Sequence, residues 1–480
     1  MTLTGFGKIP LWLWLGSAIP LGWSLFVFAI APEFAWNIRL ADRPVDVFLV
    51  VICVSSAVFF LFALAMRHRA RSAKSGDYAA HLMFIIAIGL IARALLFPGP
   101  AVLEDDFYRY HWDGQVTAAG LNPYAGPPAE FVTHPVLEDL LAELGQEAEP
   151  VPREYEEVAE QGRETLLRVN NPHISTIYSP LTQLAFAAAQ IMTPWQDTGW
   201  KLVILISEIL CLGALVAALR QMSQPVYLAA IYWWNPLVLK ELSNSMHMDA
   251  LLMPFLAGMV WLCAARRQRL MALGTAVAAA IKIWPLLILP ALWRKSGHSL
   301  FWGMVAGALV LMLLGPQLVA MTESSGLARY AADWQRNSLA FPILLEILAP
   351  YFDDPAGVGR MLTAALLAMI ALGYWVRPSQ DPEDLLAAAG TLILLLCLLS
   401  PTGYPWYTLW ILPFAVVMPR TPWLLLTACA PFYYLGFWLQ AHGWDEDWSW
   451  VTGLLSAGPV WLYLLTKRLP VSLARRVSHG

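Results

Sequence analysis

The feature that most constrains this chain is a recurrence of apolar runs, each approaching the roughly 20 residues that a helix needs to cross a bilayer, with polar or basic punctuation between them. Such runs fall near 10–31, 46–66, 79–97, 199–219, 225–239, 249–265, 298–319, 358–376, 384–400, 406–418, 421–440 and 450–466. Between Leu270 and Trp293 a further run is interrupted at Lys282 and Pro285, which reads as a broken pair of short helices that dips into the membrane and returns. With 58% hydrophobic and only 13% charged residues, the chain is too apolar for a soluble globule. The expected fold is an all-α polytopic membrane protein, a bundle of about 12 to 14 transmembrane helices with a large outer loop that carries juxtamembrane helices. The 23 Trp and 34 Pro suit membrane interfaces and kinked spans. The first run is too long for a signal-peptide core and is expected to stay as an anchor.

Composition also narrows the partners. A net charge of -4 offers no attraction to nucleic acid. The five cysteines all lie in apolar runs, where they read as packing residues and not as a disulfide framework.

Lys and Arg set the sidedness, because basic short loops stay in the cytoplasm. Arg67, Arg69, Arg71 and Lys74 put the second connection inside. Arg266, Arg267, Arg269, Arg294, Lys295, Arg377, Lys467, Arg468, Arg475 and Arg476 follow, provided that the segment 179–192 lies on the outer surface without crossing. Five polar elements then open outward: the loop 98–171, the segment 244–249, Lys282, the loop around Trp334, and 400–407. The chain divides accordingly into N-terminal spans (1–97), an extracytoplasmic loop (98–198) and a second bundle (199–480).

The outer loop begins with Glu104-Asp105-Asp106, fixed negative charge directly behind an apolar run. Ionisable groups at a membrane surface are costly and so point to function. Asp106, Arg109, Tyr110 and Asp113 are spaced i, i+3, i+4, i+7 and share one helical face. That helix is expected to stop near Gly120, with a turn at Asn122-Pro123. The face reads either as solvated ion pairing or as a general-base site, in which Asp105 or Asp106 takes a proton from an acceptor hydroxyl.

Other candidates are more dispersed. Lys282, inside an apolar run, either holds an anion or pairs with Glu208 or Glu241. Arg109 and Arg329 are further cations suited to phosphate. The segment around Lys240, Glu241, His247 and Asp249 reads as a substrate-contacting loop, or as helix capping by Asn244 or Ser245; His247 and Asp249 are too close in sequence for the usual helical metal pair. Tyr178, Tyr404 and Trp406 serve either an interfacial belt or a groove for lipid and sugar, while Trp334 and the stretch 442–450 read as interface anchors. The acidic stretch 130–168 is open to a flap role. The acidic pair leaves Mg²⁺ or Mn²⁺ open as a cofactor.

DDFYRYHWDG, AAGLNPY, TIYSPL, WNPLVLKE and SPTGYPWY, in this order, resemble the bacterial membrane mannosyltransferases of the GT-C glycosyltransferase superfamily and, more distantly, the GPI mannosyltransferase I of eukaryotes. The resemblance runs from about Val102 to Pro413. It implies a multispanning enzyme of the bacterial inner membrane that moves a sugar, mannose by resemblance alone, from a polyprenyl-phosphate carrier to a lipid or glycan acceptor on the extracytoplasmic face. It also implies that an acid of the first outer loop is the base, with Asp105 and Asp106 both open. The leaving group is good, so one base and cations on the phosphate suffice for inversion by single displacement. The competing reading is a lipid or sugar transporter, or flippase, without transfer chemistry. Broken helices and an intramembrane lysine fit it, but no inverted repeat is apparent and it needs no acidic pair. A structural membrane partner would explain the hydrophobicity alone.

Overall fold

A chain in hydrocarbon must bond its backbone internally, and a helix does so within one segment. The computed structural model describes residues 9–72, 79–131, 142–143, 152–293, 299–320, 325–376, 379–444 and 448–467, and among these it is helical, with a single isolated bridge between Arg336 and Thr402 in place of any strand. Among the described residues, eight helices are long and apolar enough to cross a membrane: Leu11–Phe34, Val45–Ser72, Ala79–Leu96, Asp197–Gln221, Phe301–Val319, Pro355–Trp375, Pro382–Leu399 and Thr421–Ala441. This is an integral-membrane architecture, and the surface agrees with it. On Val45–Ser72, Val50, Val54, Val58 and Leu61 are exposed along one side while Phe48, Ile52, Phe59 and Met66 are buried on the other. An apolar stripe turned outward needs an apolar solvent. The five cysteines are free thiols.

The spans expected near 225–239, 249–265 and 406–418 are built of shorter pieces, and these surround the polar interior. Pro236–Asn244 and Met248–Ala264 form a pair bent by 105°. Asn235 caps the first turn by accepting from the Leu237 N–H, with Pro236 at the first helical position, where its missing donor costs nothing. Residues 239–244 then widen into a π-helical turn, and Met246 takes a φ of 61° as the chain doubles back. The run expected to break at Lys282 does so: Gln268–Ile281 ends there, and short turns at Trp284–Leu287 and Leu289–Leu292 follow.

A buried ion pair fixes the bent segment to its neighbours. Arg93 meets Glu208 bidentately at 2.5 and 3.1 Å, and Ser243 donates to the same carboxylate at 3.0 Å. Arg93 also donates to the carbonyls of Gly89 and Trp233. With this much compensation the charges can remain buried.

The segment that carries the acids is held by one close helix pair. The acidic helix, Asp106–Ala118, lies against Pro180–Met192, and at the crossing a Cβ on Gly114 would stand 2.7 Å from the Phe186 carbonyl oxygen, so only glycine permits the approach. Pro180–Met192 turns exposed Leu184 and Ile191 outward. The acidic helix ends at Ala118 and Gly120 follows with a φ of 76°, the left-handed stop expected there. Behind it, Trp112, Phe131, Tyr155 and Leu166 form a small separate core, so the described part of 130–168 is packed on the acidic helix. Residues 132–141 and 144–151 of that stretch lie outside the described residues, as do Lys74, Arg294, Lys295, Arg377, Arg468, Arg475 and Arg476.

Candidate active site

The five polar elements meet at one cavity of about 800 Å³. Glu104, Asp105 and Asp106 stand at its wall, together with Arg109, Tyr110, Tyr178, Asp249, Lys282, Tyr404 and Trp406. Asp113 and His247, also singled out from the sequence, do not line it and act from behind.

The acids reach the wall through a strained turn. Leu103 has a φ of 60°, and the preceding backbone is tied to the bent segment by Asn244, whose side chain accepts from the Val102 N–H (3.1 Å) and donates to the Pro100 carbonyl (3.0 Å). Asn244 therefore does not cap its own helix, as one sequence reading had it; Ser245 likewise accepts from the buried Lys240 ammonium instead. Of the seven non-glycine residues with positive φ among those described, Leu103, Asn171, Met246 and Asn337 each adjoin a site residue. Backbone strain of this kind costs on the order of 1–3 kcal/mol per residue and collects at functional sites.

The two aspartates are not equivalent. The Asn170 amide donates to both, at 2.7 Å each. Asp106 also faces the His247 ring at 3.6 Å and the Tyr110 hydroxyl at 3.4 Å. Burial pushes Asp106 upward, but His247, Asn170 and the Lys282 charge outweigh it and hold the carboxyl below its usual range. Among the described residues Asp105 has Asn170 as its one side-chain donor; burial, reinforced by the neighbouring Asp106, pushes it up to about 6. Burial likewise raises Glu104 well above the ordinary glutamate range.

Farther along the helix the polar face is spent on structure. Asp113 accepts from Thr176 (2.5 Å) and Gln183 (3.0 Å) and pairs with Arg109 at 3.3 Å; burial still raises its pKa. Arg109 donates to the Ile174 carbonyl. Tyr110 stacks on Phe186 with centroids 4.6 Å apart. This cluster fastens the strand of chain that carries Asn170, Ile174 and Tyr178 onto the acidic helix.

Lys282 has a different partner from either one expected. Its ammonium donates to both oxygens of Asp249 at 2.9 Å, because the bend of the second span brings Asp249 to the break after Ile281. Glu208 is committed to Arg93, and Glu241 accepts from the Tyr434 hydroxyl at 2.6 Å. Trp410 also donates to Asp249 (2.6 Å), and Lys282 sits over the rings of Tyr407 and Trp410. Arg329 is not on the cavity wall, whereas Arg336 is.

The remaining wall is aromatic. Tyr404 stacks on Trp406 (4.5 Å, 9°), and Trp406 stacks on His247 (3.8 Å, 22°). Trp334, expected as an interface anchor, instead lines the cavity and donates to the Tyr404 hydroxyl at 3.1 Å. Ile283 and Leu318 line the cavity and are exposed, at 59% and 44%. The cavity therefore has an acidic wall, a Lys282–Asp249 pair with Arg336, an aromatic wall and an apolar margin.

Asn170, Arg336 and Trp410 were not singled out from the sequence, whereas Tyr407 closes the SPTGYPWY segment. Trp410 lies three residues beyond that segment, and the doublet Asn170-Asn171 before Pro172 carries no signal beyond a turn. Among the described residues, metal-ligating atoms gather at Glu104, Glu241 and His247, within 4.8 Å of one another, and not at the Asp105–Asp106 pair.

Residues 176–401 match the family model of glycosyltransferase family 87. The match takes in Tyr178, His247, Asp249, Lys282 and Arg336; the acids at 104–106 precede it and Tyr404–Trp410 follow it. No curated protein and no solved structure matches the chain. Together with the spanning helices, the family match supports a membrane glycosyltransferase.

Proposed function

We propose that the chain transfers a sugar, mannose in the first instance, from a polyprenyl-phosphate carrier to a hydroxyl of a lipid or glycan acceptor, at the extracytoplasmic face of a bacterial inner membrane. The observation that carries this reading is the single cavity on which an under-partnered acid, two cations and an aromatic wall converge beside an apolar margin. Ile283 and Leu318 give a polyprenyl tail an apolar path to the cavity from the side.

Asp105 is the base in this reading, and Asp106 positions. Among the described residues Asp105 keeps one oxygen without a side-chain donor, whereas Asp106 is faced by Asn170, His247 and Tyr110. The acceptor hydroxyl gives its proton to Asp105 while its oxygen attacks the anomeric carbon. The bond from that carbon to the phosphate oxygen breaks, the electron pair leaves with polyprenyl phosphate, and the configuration inverts. Lys282 and Arg336 meet the charge that develops on the phosphate, where stabilisation is worth most. Two ammonium N–H groups of Lys282 are spent on Asp249, which fixes the direction of the third. Trp406 and Tyr404 offer a flat apolar face to the sugar ring.

The test is reconstitution of the full chain in proteoliposomes with radiolabelled polyprenyl-phosphate mannose and an extract of membrane acceptors. A new glycosidic product, lost in Asp105→Asn, is expected. Passage of the label across the bilayer with no product formed would overturn the transferase reading in favour of a transporter.

A further inference from the structure

We propose that Glu104, Glu241 and His247 form a binding site for one divalent first-row transition ion, Zn²⁺ or Mn²⁺, behind the aromatic wall of the cavity. The site needs no transfer activity to exist; it stands on ligand geometry.

His247 is 1% exposed, and neither ring nitrogen has a hydrogen-bond partner among the described residues; the same holds for Glu241 Oε2 and Glu104 Oε1. Buried polar atoms without partners are rare and ask for an explanation. Two of them point at each other: His247 Nε2 lies 3.3 Å from Glu241 Oε2, with Glu104 Oε2 at 3.9 Å from the same nitrogen, and Nδ1 lies 3.6 Å from Asp106.

These distances separate two explanations. An imidazolium among carboxylates draws N–H···O contacts in to about 2.7–2.9 Å, and none of the three is that short. Two ligands each about 2.1 Å from a tetrahedral ion stand about 3.4 Å apart, which is the His247–Glu241 spacing. Glu104 Oε2, at 3.9 Å from His247 Nε2, reaches the same point by a small side-chain movement.

The surroundings suit an ion. Stacking on Trp406 fixes the His247 ring plane, with Nε2 toward the two glutamates and Nδ1 toward Asp106. A ligating histidine commonly turns its second nitrogen to a carboxylate that sets its tautomer, and Asp106 occupies that position. One nitrogen and two carboxylate oxygens suit Zn²⁺ or Mn²⁺ better than Ca²⁺ or Mg²⁺, which prefer all-oxygen shells. The ion would tie Glu104, the residue before the proposed base, to the bend at His247, and so hold Asp105 in place.

The test uses the full chain in lipid nanodiscs, stripped with EDTA and dialysed against ZnCl₂ or, separately, MnCl₂, with bound metal counted by mass spectrometry. One equivalent per chain is expected for the wild type with at least one of the two ions, and binding weaker by about tenfold or more in Glu104→Gln, Glu241→Gln and His247→Ala. Glu104 is at the cavity wall, so Glu104→Gln tests the site even where a change at the fully buried residues prevents folding. Wild-type protein that holds no more of either ion than Glu104→Gln would overturn the proposal and leave His247 as a buried counter-charge. Metal is counted without substrate, so this outcome is independent of whether sugar is transferred.

Discussion

Two carboxylates, one within a helix and one just before its first turn, have opposite surroundings. Asp113 is closed in by Thr176, Gln183 and Arg109, while Asp105, eight residues earlier, has Asn170 as its one side-chain donor among the described residues and lines the cavity. The first pays for its burial with partners, and a fully partnered charge has nothing left to offer a substrate. The second keeps an oxygen free of side-chain donors among the described residues, as the base proposed above requires. The contrast teaches that acids close together in sequence can be told apart by their partners: the fully partnered one is suited to hold the scaffold and the under-partnered one to meet a substrate.

Substitutions sharpen or break this contrast. The largest effect is expected at Asp105, where Asn should lower the transfer rate by about two to four orders of magnitude, the usual contribution of a general base, without lowering the melting temperature. At Asp113 the order of effects reverses: Ala leaves Arg109 buried without its counter-charge, so stability should fall by about 3–5 kcal/mol while surviving folded protein keeps its rate. Denaturation curves paired with rates per folded molecule separate the two cases; a rate loss at Asp113 as deep as at Asp105 would erase the distinction. Lys282→Met should raise the donor KM by about ten- to a hundredfold, the cost of a lost charged hydrogen bond, and change the acceptor KM less. Equal shifts in both would remove Lys282 from the phosphate. The smallest effect belongs to Tyr110→Phe. Its hydroxyl is 3.4 Å from Asp106, a weak contact, and loss should change the rate by no more than about threefold.

The sequence made part of this legible, and the limits follow from range. The spanning helices are local properties of composition, and the acidic face follows from i, i+3, i+4, i+7 spacing, so both could be read directly. The break at Lys282 was visible because a charge and a proline interrupt an apolar run. Partners were not. Lys282 meets Asp249 from 33 residues away, and Asn244 bonds the backbone of Val102 across 142 residues. Such pairings depend on a 105° bend that an apolar pattern does not announce. Asn170 escaped notice for a similar reason, since its role is defined only by two aspartates on another element. His247 was weighed against Asp249 as a sequence neighbour, whereas in space its nitrogens face Glu104, Glu241 and Asp106.

The most direct test of the central claim is a structure of the full chain in a lipid nanodisc with a polyprenyl-phosphate sugar bound. The account predicts phosphate against Lys282 and Arg336, the sugar beside Trp406, and the Asp105 carboxylate on the open side of the anomeric carbon. A donor seated outside this cavity, or a sugar bound within it with Asp105 turned away, would contradict it.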